Sequence, residues 1–365
     1  MYAALAALAL APSPAAADFK GVWNSLAGDA HPTPTPSAPP PAPCPAPWPA
    51  LFKLQPKAML IPSTPYEDGA VEEPFVLPIH GLYHMTYSAG GWHGMETVAL
   101  ATAKSPLGPW QKHGVIVGGG HAGVAGAASM STQLKVGSEY RLYYRSGGDS
   151  SYSYVSSKDG FKYSSPQVAI SAGIFNTTDY CHGVQYIDSC GIAFDPACSC
   201  YQMTAEVATG HCKGYPSYVL WYFKSVDGAK TFQPQSNVPL ASISRGVEKI
   251  SVQYAGTRAL TKTADTWVTW PHSNRSIYFA SSPDLYNWTP ATEKVLTPGP
   301  GLIGVTHCNQ VADASVLAAD GKLFLYFSAV DNTETERKNV CRIGVMVMPG
   351  SVADLMACRT PKAGT

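Results

Sequence analysis

Three carboxylates stand at the start of similar segments of this chain. Glu72 opens EEPFV, Asp188 opens DSCGIA and Asp313 opens DASVLA. Histidines occupy matched positions, because His182 and His307 each precede the following aspartate by six residues. A carboxylic acid that keeps its proton can donate it, whereas an ionised carboxylate can activate water, so grouped carboxylates suit acid–base hydrolysis. We therefore predict that Glu72, Asp188 and Asp313 are the catalytic residues of one site.

A second set of side chains is predicted to contact the ligand around these carboxylates. It comprises three loop histidines, one tryptophan and two charged residues: His121, His182, His307, Trp92, Glu248 and Arg258. Aromatic rings can stack on the flat faces of a ligand, which makes Tyr87, Tyr186 and Trp270 further candidates. The alternative for each ring is core packing, and for each histidine it is an ordinary solvated or core position.

The segments that carry the carboxylates belong to a pattern of strands that recurs along the chain. Its clearest copy, residues 72–110, has an apolar run, an alternating aromatic run, a small-residue run and a turn that ends at a tryptophan. Four further copies follow at 130–163, 188–232, 251–288 and 313–349, and the fourth copy overall is the least clear. Short runs of β-branched and aromatic residues bounded by Gly and Pro indicate strands. Units of roughly 45 to 60 residues with several antiparallel strands are typical of a β-propeller. The sequence predicts an all-β, five-bladed propeller.

In a propeller the innermost strands line a central channel, so radial symmetry would bring the three acidic strand starts to one opening. Side chains alternate along a strand, and two adjacent carboxylates would therefore point in opposite directions. On this basis Glu72, rather than Glu73, is predicted to face the channel.

The composition limits the partners of the protein. The 365 residues include 25 basic and 25 acidic side chains, which provides no electrostatic footprint for nucleic acid or an anionic membrane. No apolar run is long enough to span a bilayer. We expect one large domain, no nucleic-acid partner, no membrane partner and a monomer.

The N-terminal region predicts export. An apolar Ala/Leu run followed by Ala15–Ala17 resembles a signal peptide over residues 1–17, although its usual positive start is missing, and the alternative is an Ala-rich N-terminus. Residues 18–51 form a predicted Pro-rich linker, 52–358 the propeller and 359–365 a tail. Residues 57–63 are predicted to close the ring against the last blade. A secreted glycoprotein is expected, with sequons at Asn176, Asn274 and Asn287.

Cysteine usage also favours an oxidising compartment. The nine cysteines are Cys44, Cys181, Cys190, Cys198, Cys200, Cys212, Cys308, Cys341 and Cys358. Because the two ends of a ring-closed domain lie close together, we predict the pairs Cys308–Cys341 and Cys44–Cys358. The five central cysteines are expected to staple one long loop, with one thiol left over or paired outside the cluster. The alternative is a zinc site at Cys198-x-Cys200 with Cys190, Cys212 and His211, but the spacing lacks a CxxC pair.

Several motifs together resemble a known superfamily. They are EEPFV with GLYHMTYSA at 72–89, DSCGIAFDP at 188–196, DASVLAADGKLFLY at 313–326, and the turns SPLGPW at 105–110 and SPDLYNW at 282–288. Across about 280 residues the chain resembles the five-bladed propeller glycoside hydrolases of the family 43 and family 32 type. Carried over residue by residue, the resemblance places the general acid on Glu72 and the channel aspartates on Asp188 and Asp313.

The resemblance implies a secreted glycoside hydrolase that acts on a poly- or oligosaccharide. The alternative is a propeller that binds a glycan or a protein without catalysis, since fold alone does not assign chemistry. A sialidase would need an arginine cluster in the channel, and Arg141, Arg245 and Arg258 show no such grouping. The roles of Asp188 and Asp313 could be exchanged. No cofactor is predicted; a channel calcium ion would be compatible with carboxylate ligands, but the sequence does not require one.

Overall fold

The computed structural model describes residues 48–90, 95–147, 151–171, 174, 181–212, 218–236, 240, 259–263, 265–273, 275–290, 294–331 and 341–359. For 48–49, 181–185, 209–212, 290 and 359 it describes the backbone alone. All of these residues belong to one compact unit, Pro43–Thr365. The predicted signal peptide and most of the predicted linker lie outside the described residues.

The described strands form five antiparallel sheets of four strands, which are the blades of a propeller. Blade 1 contains β2 (Val71–Ile79), β3 (Leu82–Ala89), β4 (Thr97–Ala103) and β5 (Gln111–Val117). Blade 2 contains β6 (Ala128–Val136), β7 (Glu139–Ser146), β8 (Tyr152–Ser157) and β9 (Gln167–Ile170). Blade 3 contains β10 (Cys181–Asp195), β11 (Cys200–Cys212), β12 (Tyr218–Ser225) and β13 (Gln233–Pro234).

The last two blades depart from this simple order. Blade 4 contains β14 (Leu260–Lys262), β15 (Trp267–Thr269), β18 (Ala280–Ser282) and β19 (Thr289–Pro290), with a hairpin of β16 (His272–Ser273) and β17 (Ser276–Ile277) inserted between its middle strands. Blade 5 contains β20 (Gln310–Ala319), β21 (Lys322–Val330) and β22 (Arg342–Pro349), followed by helix α1 (Val352–Arg359). Its fourth strand is β1 (Lys53–Leu54).

The ring is closed by the N-terminal segment. Strand β1 pairs antiparallel with β22, and the backbone N–H of Met59 donates to the carbonyl oxygen of Ile343 at 2.7 Å. Leu60 forms a further antiparallel bridge with Ile343. The closing segment therefore includes part of the predicted 57–63, but the regular strand lies earlier in the chain. A blade shared by both ends leaves the ring without an open sheet edge at its seam.

The hydrophobic core is divided among the interfaces between neighbouring blades. Apolar side chains of blades 1 and 2, 2 and 3, 3 and 4, 4 and 5, and 5 and 1 pack in five such clusters. Tyr87 and Trp270 are fully buried in two of them, so these rings pack in the core, as the alternative interpretation held. Burying both faces of each sheet is what makes the ring stable, because a single blade covers only one face of its neighbour.

The turns after the third strands of blades 2, 3 and 4 use one device. A serine hydroxyl donates to the aspartate carboxylate two residues later, at 3.0 Å, 2.7 Å and 3.2 Å, in the pairs Ser157–Asp159, Ser225–Asp227 and Ser282–Asp284. Backbone N–H groups of each turn donate to the same carboxylate. These aspartates therefore shape turns and are not part of the acidic site described below.

The predicted cysteine pairing is partly wrong. Cys308 and Cys341 are both buried free thiols, so they do not form the predicted disulfide. The thiol of Cys308 donates to the Gln310 carbonyl at 3.4 Å, and Cys341 contacts Glu72. Cys198 and Cys200 form a disulfide, so they cannot be the thiolate ligands of the zinc site that was the alternative prediction. Cys358 is disulfide-bonded, but Cys44 lies outside the described residues, so their pairing stays a prediction.

The interface of blades 3 and 4 should be sensitive to the size of residue 191. A Cβ atom on Gly191 would lie 2.7 Å from the backbone nitrogen of Leu260 and 2.9 Å from the carbonyl carbon of Ala259. Because backbone cannot move aside as a side chain can, Gly191→Ala should destabilise the protein by about 1 to 3 kcal/mol, measured by urea unfolding. Gly126→Ala is the control, since no heavy atom lies within 4 Å of its Cβ. Equal unfolding midpoints for the two variants would contradict this close packing.

Candidate active site

The innermost strands of four blades share a β-bulge at the same point. In β2, β6, β10 and β20 two residues oppose a single residue of the neighbouring strand. The inserted pairs are Glu73–Pro74, Met130–Ser131, Asp188–Ser189 and Asp313–Ala314. A bulge bends the strand and redirects side chains, so this feature places one residue of each blade at an equivalent position around the ring.

The bulge changes which glutamate is equivalent to the aspartates. Glu73, not Glu72, takes the first bulge position, which Asp188 and Asp313 take in blades 3 and 5. Glu73 has a positive φ of 58°, and Asp313 has a φ of 55°. Strict alternation, which underlay the choice of Glu72 over Glu73, therefore does not hold in β2. Both glutamates are buried, with 3% and 2% of their surface exposed.

Glu73 is held by donors from two blades. Its Oε2 atom accepts hydrogen bonds from the Ser88 hydroxyl and, at 2.9 Å, from the Met130 backbone N–H. Its own N–H donates to the hydroxyl of Ser328 in blade 5 at 2.7 Å. The carboxylate thus lies at the junction of blades 1, 2 and 5, where its position is set by the packing of the ring.

Asp188 is paired with an arginine of the preceding blade. The guanidinium of Arg145 donates to Asp188 Oδ1 at 2.9 Å and to Glu96 Oε2 at 2.6 Å. It also lies over the ring of Tyr186, 5.1 Å from the ring centre. One cation therefore joins carboxylates of blades 1 and 3.

Asp313 is accompanied by a histidine of blade 4. The Asp313 backbone N–H donates to Nδ1 of His272 at 3.3 Å, and the same nitrogen lies 3.9 Å from Asp313 Oδ1. Burial lowers the pKa of His272, and the charge of Asp313 only partly opposes this effect. A neutral imidazole that accepts at Nδ1 carries its proton on Nε2.

The carboxylates act on one another electrostatically. Burial raises the pKa of Glu72 well above its usual value, and the charges of Glu73, Glu96 and Asp313 raise it further. Burial and the neighbouring charges therefore favour the protonated form of Glu72. These interactions show that the acidic side chains from blades 1 and 5 lie in one cluster.

Asp188 differs from Glu72 because a cation lies beside it. Burial and the charges of Asp313 and Glu96 raise the pKa of Asp188, whereas Arg145 lowers it, with the result at about 6. The Asp188 and Asp313 side chains are both buried but each keep 9% of their surface exposed, so a small part of each contacts solvent.

Glu206 also belongs to this cluster, although it was not among the residues predicted from the sequence. Glu206 opposes the bulge of blade 3, the position that holds Tyr87, Tyr144 and Phe327 in blades 1, 2 and 5. Burial together with Asp188 and Asp313 raises its pKa well above the usual value, and Ser189 donates to its Oε2 atom at 3.1 Å. A carboxyl group where the other copies have an aromatic ring was the available signal.

Three other members of the cluster were also missed. Arg145 lies in a run that the sequence pattern assigned only to a strand, Glu96 directly precedes β4, and His272 lies in the inserted hairpin of blade 4. Their roles depend on contacts between blades, for which the local sequence carries no signal.

The predicted ligand-binding residues have mixed outcomes. His121 and His307 are exposed in loops, and the backbone of His182 pairs with His211 in blade 3. Three of the predicted residues lie outside the described part of the chain: Trp92, Glu248 and Arg258. The side chain of His182 and residues 251–258, the start of the predicted fourth copy, also lie outside it. Tyr186 lies beside Arg145, and its hydroxyl is 2.8 Å from that of Tyr218.

Neither a metal cluster nor a membrane helix is found in the described part of the chain. No three acidic, histidine or cysteine side chains among the described residues are arranged to hold a metal ion. None of the described helices has the length and apolar character needed to cross a bilayer.

Comparison with solved structures finds the same fold in carbohydrate-active enzymes. The catalytic domain of a GH62 α-L-arabinofuranosidase from Coprinopsis cinerea is 11% identical, with a TM-score of 0.60 over 81% of this chain and 96% of that one. An α-L-arabinofuranosidase from Podospora anserina, solved with cellotriose, is 10% identical, with a TM-score of 0.60 and the same coverage of 81% and 96%. An N-acetylgalactosamine deacetylase from F. plautii, solved with blood group B trisaccharide, is 13% identical, with a TM-score of 0.57 over 84% and 97%.

These structural similarities establish the fold of the protein, whereas its reaction has to be inferred from the residues of the site. No family model and no curated protein sequence matches the chain. Two of the three structures are glycosidases and one is a deacetylase, so one scaffold supports different reactions.

The raised pKa of Glu72 predicts how stability changes with pH. A carboxyl group whose pKa is higher in the folded state contributes stability that is complete below its unfolded pKa, 4.5, and is lost as pH rises through the folded pKa. Glu72→Gln removes this loss, so its melting temperature should exceed that of the wild type by a few degrees at pH 8. The difference should close below pH 4, as measured by thermal unfolding across this range.

Glu67→Gln is the matched control for that prediction. Glu67 is also buried, but burial, which alone would raise its pKa, is outweighed by Lys112, 2.6 Å from its Oε1 atom, together with hydrogen bonds from Ser63 and Thr64. Its pKa therefore lies below the usual value. This variant should be less stable than the wild type at pH 8. A Glu72→Gln protein that is also less stable at pH 8 would contradict the assignment of Glu72 as a protonated group.

Proposed function

We propose that the protein is a glycoside hydrolase that cleaves a glycosidic bond of a poly- or oligosaccharide at the carboxylate cluster. The observation that carries this function is the convergence of Glu72, Asp188 and Asp313 from blades 1, 3 and 5, because the charge of Asp313 contributes to raising the pKa of both Glu72 and Asp188. Hydrolysis of a glycosidic bond needs one carboxyl group that keeps its proton and another that is ionised. The cluster supplies groups of both kinds.

Each carboxylate is assigned a role from its surroundings. Glu72 is the proton donor, since burial and neighbouring charges raise its pKa. Asp313 is the base that activates water or attacks the anomeric carbon, because its side chain keeps 9% of its surface exposed and its backbone is held by His272. Asp188 tunes the donor by its charge, and the roles of the two aspartates could be exchanged.

The substrate is proposed to be a carbohydrate of the kind bound by the structural neighbours. Solved structures with this fold hold cellotriose, xylotriose or a blood group trisaccharide. In the described part of the chain the cluster contains one arginine, Arg145, and two carboxylates already bind it. An arginine cluster of the kind a sialidase needs is therefore not present among the described residues.

Secretion and the monomeric state are proposed on the sequence evidence given above. The Cys198–Cys200 disulfide supports an oxidising compartment. Asn287, the glycosylation candidate within the described residues, is exposed, although its side-chain amide donates to Asp284 at 2.7 Å.

Substitution of the proposed donor, Glu72, or of the proposed base, Asp313, should strongly reduce hydrolysis while the fold is kept. A panel of plant and algal polysaccharides identifies a substrate, and kcat/KM is then measured on it. Glu72→Gln keeps the shape and hydrogen bonding of the side chain but removes its titrating proton, so activity should fall by about 10² to 10⁴-fold. Asp313→Asn should cause a loss of the same order, while sugar binding is retained.

Asp227→Asn is the control because Asp227 only shapes a turn of blade 3. It should leave kcat/KM unchanged. Full activity of both Glu72→Gln and Asp313→Asn would place the reaction elsewhere. If the protein binds glycans but cleaves none of them, the alternative of a glycan-binding propeller is favoured. The buried Glu72 would then have no catalytic role.

A further inference from the structure

One position of the second strand in each of three blades contacts the bulge of the next blade. This position pairs with the residue just before the bulge of its own blade, and it holds Ser88, Arg145 and Ser328 in blades 1, 2 and 5. The contacts are Ser328 with the Glu73 N–H at 2.7 Å, Ser88 with the Met130 N–H at 3.2 Å, and Arg145 with the Asp188 carboxylate at 2.9 Å. The fold thus uses this position to fix the neighbouring bulge.

We propose that Arg145 is a positioning residue that orients the Asp188 carboxylate toward the substrate and keeps it ionised, an inference that rests on the proposed hydrolase function. Blades 1 and 5 use a neutral serine to hold a backbone N–H. Blade 2 instead places a cation against the carboxylate itself. A serine would satisfy the architecture, so the guanidinium has a further task at Asp188.

The geometry fits a clamp. Arg145 donates through NH1 to Asp188 and through NH2 to Glu96, at 2.9 Å and 2.6 Å. A planar guanidinium fixes the angle between its donors, which a lysine ammonium cannot do. Tyr186 packs on the guanidinium, with 5.1 Å between Arg145 Cζ and the ring centre, and restricts its rotation. The Arg145 side chain keeps 22% of its surface exposed and Asp188 keeps 9%, so the pair contacts solvent on the side of the guanidinium.

The charge at Asp188 depends on this cation. The groups that face Asp188 are Arg145 from blade 2, Glu96 from blade 1, Asp313 from blade 5, and Glu206, Tyr186 and Tyr218 from blade 3. Burial, Asp313 and Glu96 favour the protonated form of Asp188, while Arg145 opposes them. Without Arg145, the aspartate would be protonated over more of the neutral range.

Arg141 is a matched control in the same strand. Its guanidinium donates to Glu139 Oε1 at 2.8 Å and lies 5.0 Å from the ring centre of Tyr154, so it also combines a glutamate with a tyrosine ring. It is buried, with 7% of its side-chain surface exposed, but its other hydrogen-bond partners are the Gly228 carbonyl and Tyr143 and not a site carboxylate. The two arginines differ in whether they contact Asp188.

The first experiment titrates Asp188 directly and needs no substrate. The protein is labelled with ¹³C at aspartate carboxyl carbons, and the Asp188 signal is assigned with Asp188→Asn. The wild-type signal should titrate near pH 6. Arg145→Met should move this midpoint upward by about 1 to 3 pH units. Glu96→Gln should move it downward, because it removes a like charge but keeps an acceptor for Arg145. Arg141→Met should leave it unchanged.

The outcomes separate the clamp from its alternatives. An Asp188 midpoint that is equal in Arg145→Met and the wild type would overturn the proposal. Equal shifts in Arg145→Met and Arg141→Met would also overturn it, since they would reflect the loss of any nearby arginine. If Arg145→Met does not fold, Arg145→Lys and Glu96→Gln decide: the lysine variant should keep a midpoint close to the wild-type value, and Glu96→Gln should still lower it.

The second experiment uses the substrate identified for the proposed function. Asp188 must be ionised to tune the donor by its charge, and equally to act as the base if the two aspartates exchange roles, so in Arg145→Met the acid limb of the kcat/KM profile should move to higher pH together with the Asp188 midpoint. In Arg145→Lys the limb should stay near its wild-type position while kcat falls about 10-fold or more, because charge is kept and orientation is lost. A kcat equal to the wild type in Arg145→Lys would overturn the orienting role. Failure to find any hydrolysed glycan would count against the proposed function alone, since the carboxyl titration is independent of it.

Discussion

The burial of several carboxyl groups in one cluster is the physical constraint on which the structure depends. Desolvation of carboxylates costs several kcal/mol each unless protons, cations or hydrogen bonds compensate. This chain uses all three: burial and neighbouring charges favour the protonated form of Glu72, Arg145 forms ion pairs with Asp188 and Glu96, and Glu73 accepts from a hydroxyl and a backbone N–H. Apolar side chains at the same positions would fill the channel without this desolvation free energy, so the presence of the carboxyl groups points to a functional role.

The propeller supplies the rigidity that such a cluster needs. The five inter-blade cores and the β1–β22 closure hold the inner strands in place, and the bulges direct one residue of each strand to an equivalent position. Contacts between successive blades then determine the environment of each acid. Like charges would otherwise separate, so the packing of the ring maintains an arrangement that the carboxylates themselves disfavour.

The repeats were predictable because each blade is a local pattern. Strands β7, β8 and β12 lie within the predicted second and third copies, where runs of aromatic residues form the strands and Ser-x-Asp turns follow β8 and β12. Strand β10 is longer than predicted: it begins at Cys181, seven residues before Asp188, as part of a long hairpin. The pairing of Cys308 with Cys341 was wrong because proximity of the chain ends does not specify where individual thiols point.

The sequence alone determined the all-β repeat, the ring closure by an N-terminal segment and the identity of Glu72, Asp188 and Asp313 as acids at strand starts. These features follow from residue type and spacing within one blade. Only the tertiary structure decided that Glu73 shares the register of the aspartates, that Arg145 binds Asp188 and that His272 accompanies Asp313. The last two pairs are separated by 43 and 41 residues and join different blades. Such contacts depend on how neighbouring blades pack and on where a bulge interrupts alternation, and neither leaves a local signal in the chain.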